Sequence, residues 1–210
     1  MKLYGPRRRR RLLVAGALAS SFLAVALAAL ARGTWAEDAP RDPERVGVGP
    51  VCAVCRAPGG GKEVRCAARL PYALDRVWEA VTDYEHYGDI CECIHADEVR
   101  HEPDGRCRID ARARSLLSGE VPFAVEMRHE QNLDEYVASW DEPSGWVEVN
   151  RGRWRLRPAG PSETLVSLSL EVQVRGVPTF VLRNLSLHRL REVVLALERR
   201  LRDGPSGKTW

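Results

Sequence analysis

The chain lacks most of the patterns that carry catalysis. It has no HExxH pair and no nucleophile motif, and Gly59 to Gly61 are not followed by the Lys-Ser/Thr step of a phosphate-binding loop. Zinc-protease and P-loop chemistry are excluded on that ground. Arg56 rather than His follows Cys55, which excludes covalent haem attachment, and no thioredoxin-like strand and helix surround Cys52-x-x-Cys55. No internal repeat or second domain divides the chain. Acid is absent from the N-terminus, where Met1 to Ala36 hold seven Lys and Arg and no Asp or Glu. The whole chain is formally +3, yet the remainder has 25 bases against 29 acids and is about −4. Basic character is confined to the first residues, so composition provides no case for a nucleic-acid partner.

What is present begins with that basic segment. Lys2 and Arg7 to Arg11 precede Leu12 to Ala31, an apolar run broken only by Gly16, Ser20 and Ser21. A basic n-region followed by an apolar h-region is the order of an export signal. Small residues at Ala29 and Ala31, and at Thr34 and Ala36, offer two cleavage points. The alternative is an uncleaved anchor, since about twenty apolar residues can span a bilayer. Either outcome predicts an exported domain, periplasmic or anchored in the inner membrane and facing the periplasm. Residues 1–36 are read as the signal or anchor, 37–61 as a flexible Pro/Gly-rich arm, 62–203 as one folded domain and 204–210 as a tail.

Order begins near Lys62, where Val64, Cys66, Ala68 and Leu70 alternate with Arg65 and Arg69, the pattern of a strand with one buried face. Leu74, Val77, Trp78 and Val81 then recur at helical spacing, and a second short helix is expected from Tyr84 to Cys91. The period next switches to two for much of the chain. Cys107, Ile109, Ala111 and Ala113 alternate with arginines and Asp110, and Val121, Phe123, Val125 and Met127 alternate with Glu126 and Arg128. The same holds for Tyr136, Ala138 and Trp140, for Gly152, Trp154 and Leu156, and for Thr164 to Val174. Turn signals at Pro103-Asp-Gly105, Ser118-Gly119, Pro143-Ser-Gly145 and Ala159-Gly-Pro161 separate the runs into an antiparallel meander. Pro178 to Arg202 closes the chain as a long helix with Leu182, Ser186, Leu190, Val193, Val194, Leu197 and Leu201 in one stripe. Arg191, Glu198, Arg199 and Arg202 face away from it.

This order of elements resembles the helix-grip fold of the START and polyketide-cyclase (SRPBCC) superfamily. The stretch Leu70-Pro71 through Val77-Trp78 to Asp83-Tyr84 resembles the first strand end and helix of its coenzyme-Q-binding and cyclase/dehydrase branch. Gly152-Arg-Trp154-Arg-Leu156-Arg-Pro158, Thr164-Leu-Val166 and Val177-Pro178 resemble its last strands and the entry to its final helix. The resemblance implies an α+β fold: a curved antiparallel sheet of about seven strands around a long C-terminal helix, with two short helices after the first strand. It also implies an apolar cavity between sheet and helix that holds a lipid, quinone or polyketide-like molecule. The residues placed in that cavity are Ala111, Ala113, Phe123, Val125, Met127, Tyr136, Trp154, Leu168, Leu182 and Ser186. Where many relatives carry prolines and an aromatic after the second helix, this chain has Gly88-Asp-Ile-Cys91-Glu-Cys93.

Six cysteines, Cys52, Cys55, Cys66, Cys91, Cys93 and Cys107, read as disulfide candidates in an exported chain. The expected staple joins Cys52 or Cys55 to Cys91 or Cys93, while Cys66 and Cys107 share inward parity and are either paired or buried. A competing metal reading takes Cys52, Cys55, Cys91 and Cys93 with His95 adjacent, but the second pair lacks zinc-ribbon spacing, and no metal is assigned. No cofactor and no catalytic residue is assigned, although His86, His95 and His129 are the residues to mutate should activity be found. The leading expectation is a non-enzymatic binder or carrier of an apolar small molecule. A cyclase or dehydratase, and a protein-interaction module of the envelope, are the alternatives.

Overall fold

The computed structural model describes residues 49–57, 61–115, 119–142 and 147–204. The expected signal, the first part of the arm and the tail beyond Gly204 lie outside the described residues. The period-two runs are strands: β2 (Lys62–Leu70), β4 (Cys107–Ser115), β5 (Gly119–Gln131), β6 (Tyr136–Asp141), β7 (Val147–Gly160) and β8 (Glu163–Val174). Two further strands, β1 (Val51–Arg56) and β3 (Ile94–His101), bring the sheet to eight rather than about seven. The arm read as flexible over 37–61 is therefore corrected at its end, because Val51 to Arg56 pair in register with Lys62 to Ala67. All eight strands form one antiparallel sheet in the order β1-β2-β8-β7-β6-β5-β4-β3. The first and last of the long strands lie side by side, and β1 and β3 form the edges.

Helix α1 (Leu74–Thr82) buries Val77 and Val81 and half-buries Leu74 and Trp78, the stripe its spacing predicts. A 3₁₀ helix, Tyr84–Asp89, follows and packs on β3. The C-terminal helix α2 (Thr179–Asp203) buries all seven residues of the predicted stripe, and Gly204 ends it with φ of 84°. This conformation suits glycine, which has no Cβ to clash. Helix α2 lies over β1, β2 and β8, while α1 crosses β7 and β8. Among the described residues no helix is long and apolar enough to cross a membrane.

The core is one continuous cluster between the sheet and these helices, and Trp154 is its largest fully buried side chain. Some space suggested by small residues is filled by neighbours. A Cβ on Gly152 would stand 2.3 Å from the Trp140 ring and 2.7 Å from the Ser169 carbonyl, so glycine at this position admits that ring across the β6–β7 pair.

The disulfide joins Cys52 to Cys66, correcting the staple expected between Cys52 or Cys55 and Cys91 or Cys93. The reason is register: Cys52 stands directly opposite Cys66 in the β1–β2 pair, with Cα atoms 4.0 Å apart. The other cysteine pair leads into β3, at the opposite edge of the sheet. Cys107 is a buried thiol on β4, pushed up in pKa by desolvation, and Cys55 lies on β1 opposite Glu63. Closing a 14-residue separation contributes about 3 kcal/mol by chain entropy. Cys52→Ala is expected to lower the unfolding free energy in urea by about that amount, while dithiothreitol lowers the wild type and leaves the variant unmoved.

Candidate functional site

The residues read as a cavity lining are brought together, mostly as packed core. Ala111, Met127, Trp154 and Leu168 are buried in the central cluster, and Phe123, Val125 and Tyr136 are half-buried against it. The Tyr136 hydroxyl donates to Asp75 Oδ1 at 3.0 Å and its ring meets Trp78 edge-on, so this side chain ties the sheet to α1. Ala113 sits opposite Ile94 and is half-buried. Leu182 and Ser186 are buried on α2, and Ser186 borders a small cavity of about 140 Å³ against Val64, Leu170 and Val172.

A larger opening lies elsewhere. The C-terminal half of α2 and the β3–β4 pair bound a cleft of about 930 Å³. Gly88 and Asp89 of the 3₁₀ helix, Glu92 and Cys93 of the next turn, and Ile94 and His95 of β3 form one wall. Arg112 and Arg114 of β4 and Glu120 of β5 form the second wall, and α2 contributes Arg189, Ala196, Arg199 and Arg200. None of the ten expected cavity residues lines it. The arginines had been legible only as a wet face: Arg112 and Arg114 by strand alternation, Arg199 as helix surface. That strand and helix bring them to one cleft is a matter of packing.

The five arginines differ in what already occupies them. Arg112 clamps Asp97 at 2.6 and 2.8 Å and reaches Glu120 at 2.6 Å. Arg189 pairs with Glu192 at 3.0 Å. Arg200 is buried and binds Asp83, and it also donates to the carbonyls of Ala80 at 3.3 Å and His86 at 3.4 Å. Arg114 and Arg199 have no ion-pair partner among the described residues, which leaves their guanidinium groups for an anion. Arg76 donates to the Leu201 carbonyl at 2.6 Å and lies over the Tyr72 ring.

The histidines separate clearly. His86 bonds Asp83 at 2.9 Å, and His95 stands exposed on the cleft wall, 3.9 Å from Asp97. His129 Nδ1 lies 3.2 Å from the Gly105 carbonyl, which can only accept, so Nδ1 carries the proton. Nε2 then accepts the Tyr84 hydroxyl at 2.6 Å. Burial lowers the His129 pKa and raises that of Tyr84, which keeps both neutral. This pair joins the 3₁₀ helix to β5 and does not line the cleft.

Cys91 and Cys93 face each other with sulfurs 3.2 Å apart. The contact between the two thiols, in which either sulfur can donate, and the nearby Arg189 lower the Cys93 pKa, while the same contact and burial push the Cys91 thiol up. Among the described residues no three His, Cys, Asp or Glu side chains form a group that could hold a metal ion.

The sequence profile of the family "polyketide cyclase / dehydrase and lipid transport" matches residues 70–198. No match is found among curated proteins. A protein of Thermus thermophilus is similar in structure, with 22% identity, covering 69% of this chain and 99% of its own, at a TM-score of 0.57. A STAR-related lipid transfer protein of Xanthomonas axonopodis is 17% identical over 75% of this chain and 96% of its own, with a TM-score of 0.61. Human StAR-related lipid transfer protein 5 is 13% identical over 92% of this chain and 98% of its own, with a TM-score of 0.62. At these identities the structures share the fold, and the profile match over more than half the sequence shows kinship: the chain belongs to the polyketide cyclase/dehydrase and lipid-transport family.

Proposed function

We propose that this protein is a non-enzymatic carrier that binds a lipid-like molecule through its acidic end, after export from the cytoplasm. The observation that carries the reading is the cleft of about 930 Å³ between α2 and the β3–β4 pair. Its size falls in the range of small-molecule sites, about 300–1,000 Å³. Ile94 and Ala196 offer apolar surface, and Arg114 and Arg199 offer guanidinium groups to an acidic head. Two structural neighbours are named as lipid transfer proteins, and lipid transport is part of the family's description. Binding is favoured over a cyclase because the ordered Tyr84–His129 pair stands away from the cleft. Export is supported by the basic-then-apolar leader and is consistent with the Cys52–Cys66 disulfide.

Native mass spectrometry of protein purified from the cell envelope is expected to show a co-purifying acidic lipid. After delipidation, adding back a fatty acid or anionic phospholipid should raise the melting temperature. Arg114→Glu and Arg199→Glu should each weaken the affinity roughly tenfold, the loss of one charge-assisted hydrogen bond. Protein that is repeatedly empty, with a melting temperature indifferent to every lipid offered, would overturn the reading.

A further inference from the structure

The turn that leads into β3 does more than line the cleft. The amide of Ile94 donates to the Cys91 carbonyl at 2.9 Å, closing a tight turn with Glu92 and Cys93 at its centre. Both ends are pinned. The Cys91 amide donates to the Tyr87 carbonyl at 2.9 Å, and the Cys93 carbonyl accepts the Arg114 amide at 2.7 Å. This frame places the two sulfurs 3.2 Å apart, closer than ordinary contact. Both thiols are half-buried, and Cys93 borders the cleft.

We propose that Cys91 and Cys93 form a reversible dithiol–disulfide site that exchanges with small-molecule disulfides entering through the cleft. The Cys93 thiolate attacks one sulfur of the incoming disulfide, forming a mixed disulfide and releasing the other half as a thiolate that takes up a proton. Cys91 then gives up its proton and attacks Cys93 Sγ, closing the Cys91–Cys93 bond and expelling the second half as a thiol. Two protein thiols are oxidised to one disulfide and the incoming disulfide is reduced to two thiols. Attack falls to Cys93 because it is the cysteine that borders the cleft, and the nearby Arg189 favours its thiolate, the nucleophilic form. The more buried Cys91, whose thiol is held protonated, is the resolving partner. The site stands apart from the lipid reading, since it requires only that a small disulfide reach Cys93.

A single tryptic peptide, Val77 to Arg100, contains both cysteines and no other. The full chain is incubated with oxidised glutathione, quenched in acid and treated with iodoacetamide. The expected peptide is two hydrogens lighter than the dithiol and carries no alkyl group, and dithiothreitol restores two alkylation sites. Cys91→Ser should trap one glutathione on Cys93, at least about tenfold faster than Cys93→Ser traps one on Cys91. Wild-type closure should likewise be about tenfold faster in buffer than in urea, where the frame is lost. Two alkylatable thiols after oxidation, equal rates in buffer and urea, or a cross-link of this peptide to Cys55 would overturn the proposal. The wild-type measurements decide the matter even if a variant fails to fold.

Discussion

Asp83→Ala is expected to lower the unfolding free energy by about 3 kcal/mol, more than Arg200→Met on the other side of the same ion pair. The asymmetry follows from burial. The Arg200 side chain is 7% exposed and that of Asp83 32%, so removing the carboxylate strands a buried guanidinium. Removing the arginine leaves a carboxylate that water and His86 can still satisfy, at a cost of about 1–2 kcal/mol. Arg200 also ends α1 by donating to the Ala80 carbonyl, so this contact joins the C-termini of both helices. In a chain of this size 3 kcal/mol corresponds to a melting shift of about 6–12 °C, read by calorimetry. Acid provides a second readout. Burial works to raise the Asp83 pKa, but the His86 hydrogen bond and the Arg200 guanidinium outweigh it and hold the carboxyl below its ordinary value. The stabilisation is therefore complete above the unfolded value of about 3.9 and is lost as pH falls through the folded one. Below about pH 4 the gap between wild type and Asp83→Ala should narrow, and a constant gap would count against the pair.

The second large effect is expected at Trp154, where substitution by alanine should cost about 3–5 kcal/mol in urea denaturation. Its ring is fully buried and stands between Ala138 of β6 and Leu168 of β8 in register. Nε1 donates to the Tyr87 hydroxyl at 3.3 Å, and the Tyr87 carbonyl in turn accepts the amide of Cys91. Trp154→Phe keeps most of the apolar bulk and should cost about 1–2 kcal/mol, chiefly through the unpartnered Tyr87 hydroxyl. Equal losses for both variants would show that the hydrogen bond rather than the ring volume carries the effect.

The fold was legible where burial follows a local period. Val64 to Leu70, Cys107 to Ala111 and the α2 stripe bury the faces their spacing predicts. The strands that escaped notice are the two edges. β3 is mostly exposed and its register shifts between Ala96 and Glu98, so no clean alternation marks it. β1 was hidden by the Pro- and Gly-rich residues flanking a run of only six. The candidate cleft was less legible still. Arg112, Arg114 and Arg199 read as surface by period alone, since alternation tells which side of an element is wet and says nothing of what that side confronts.

The sequence by itself determined the sheet-and-helix architecture, the family, and a buried set that includes Trp154 and Leu197, because hydrophobic periodicity and element order are local properties of the chain. Only the tertiary structure decided which cysteines bond, where open space remains, and which arginines border it. These depend on register and on long-range approach. Cys66 faces Cys52 because two strands align, and Cys93 meets both Cys91 and the cleft because a pinned turn sets them there.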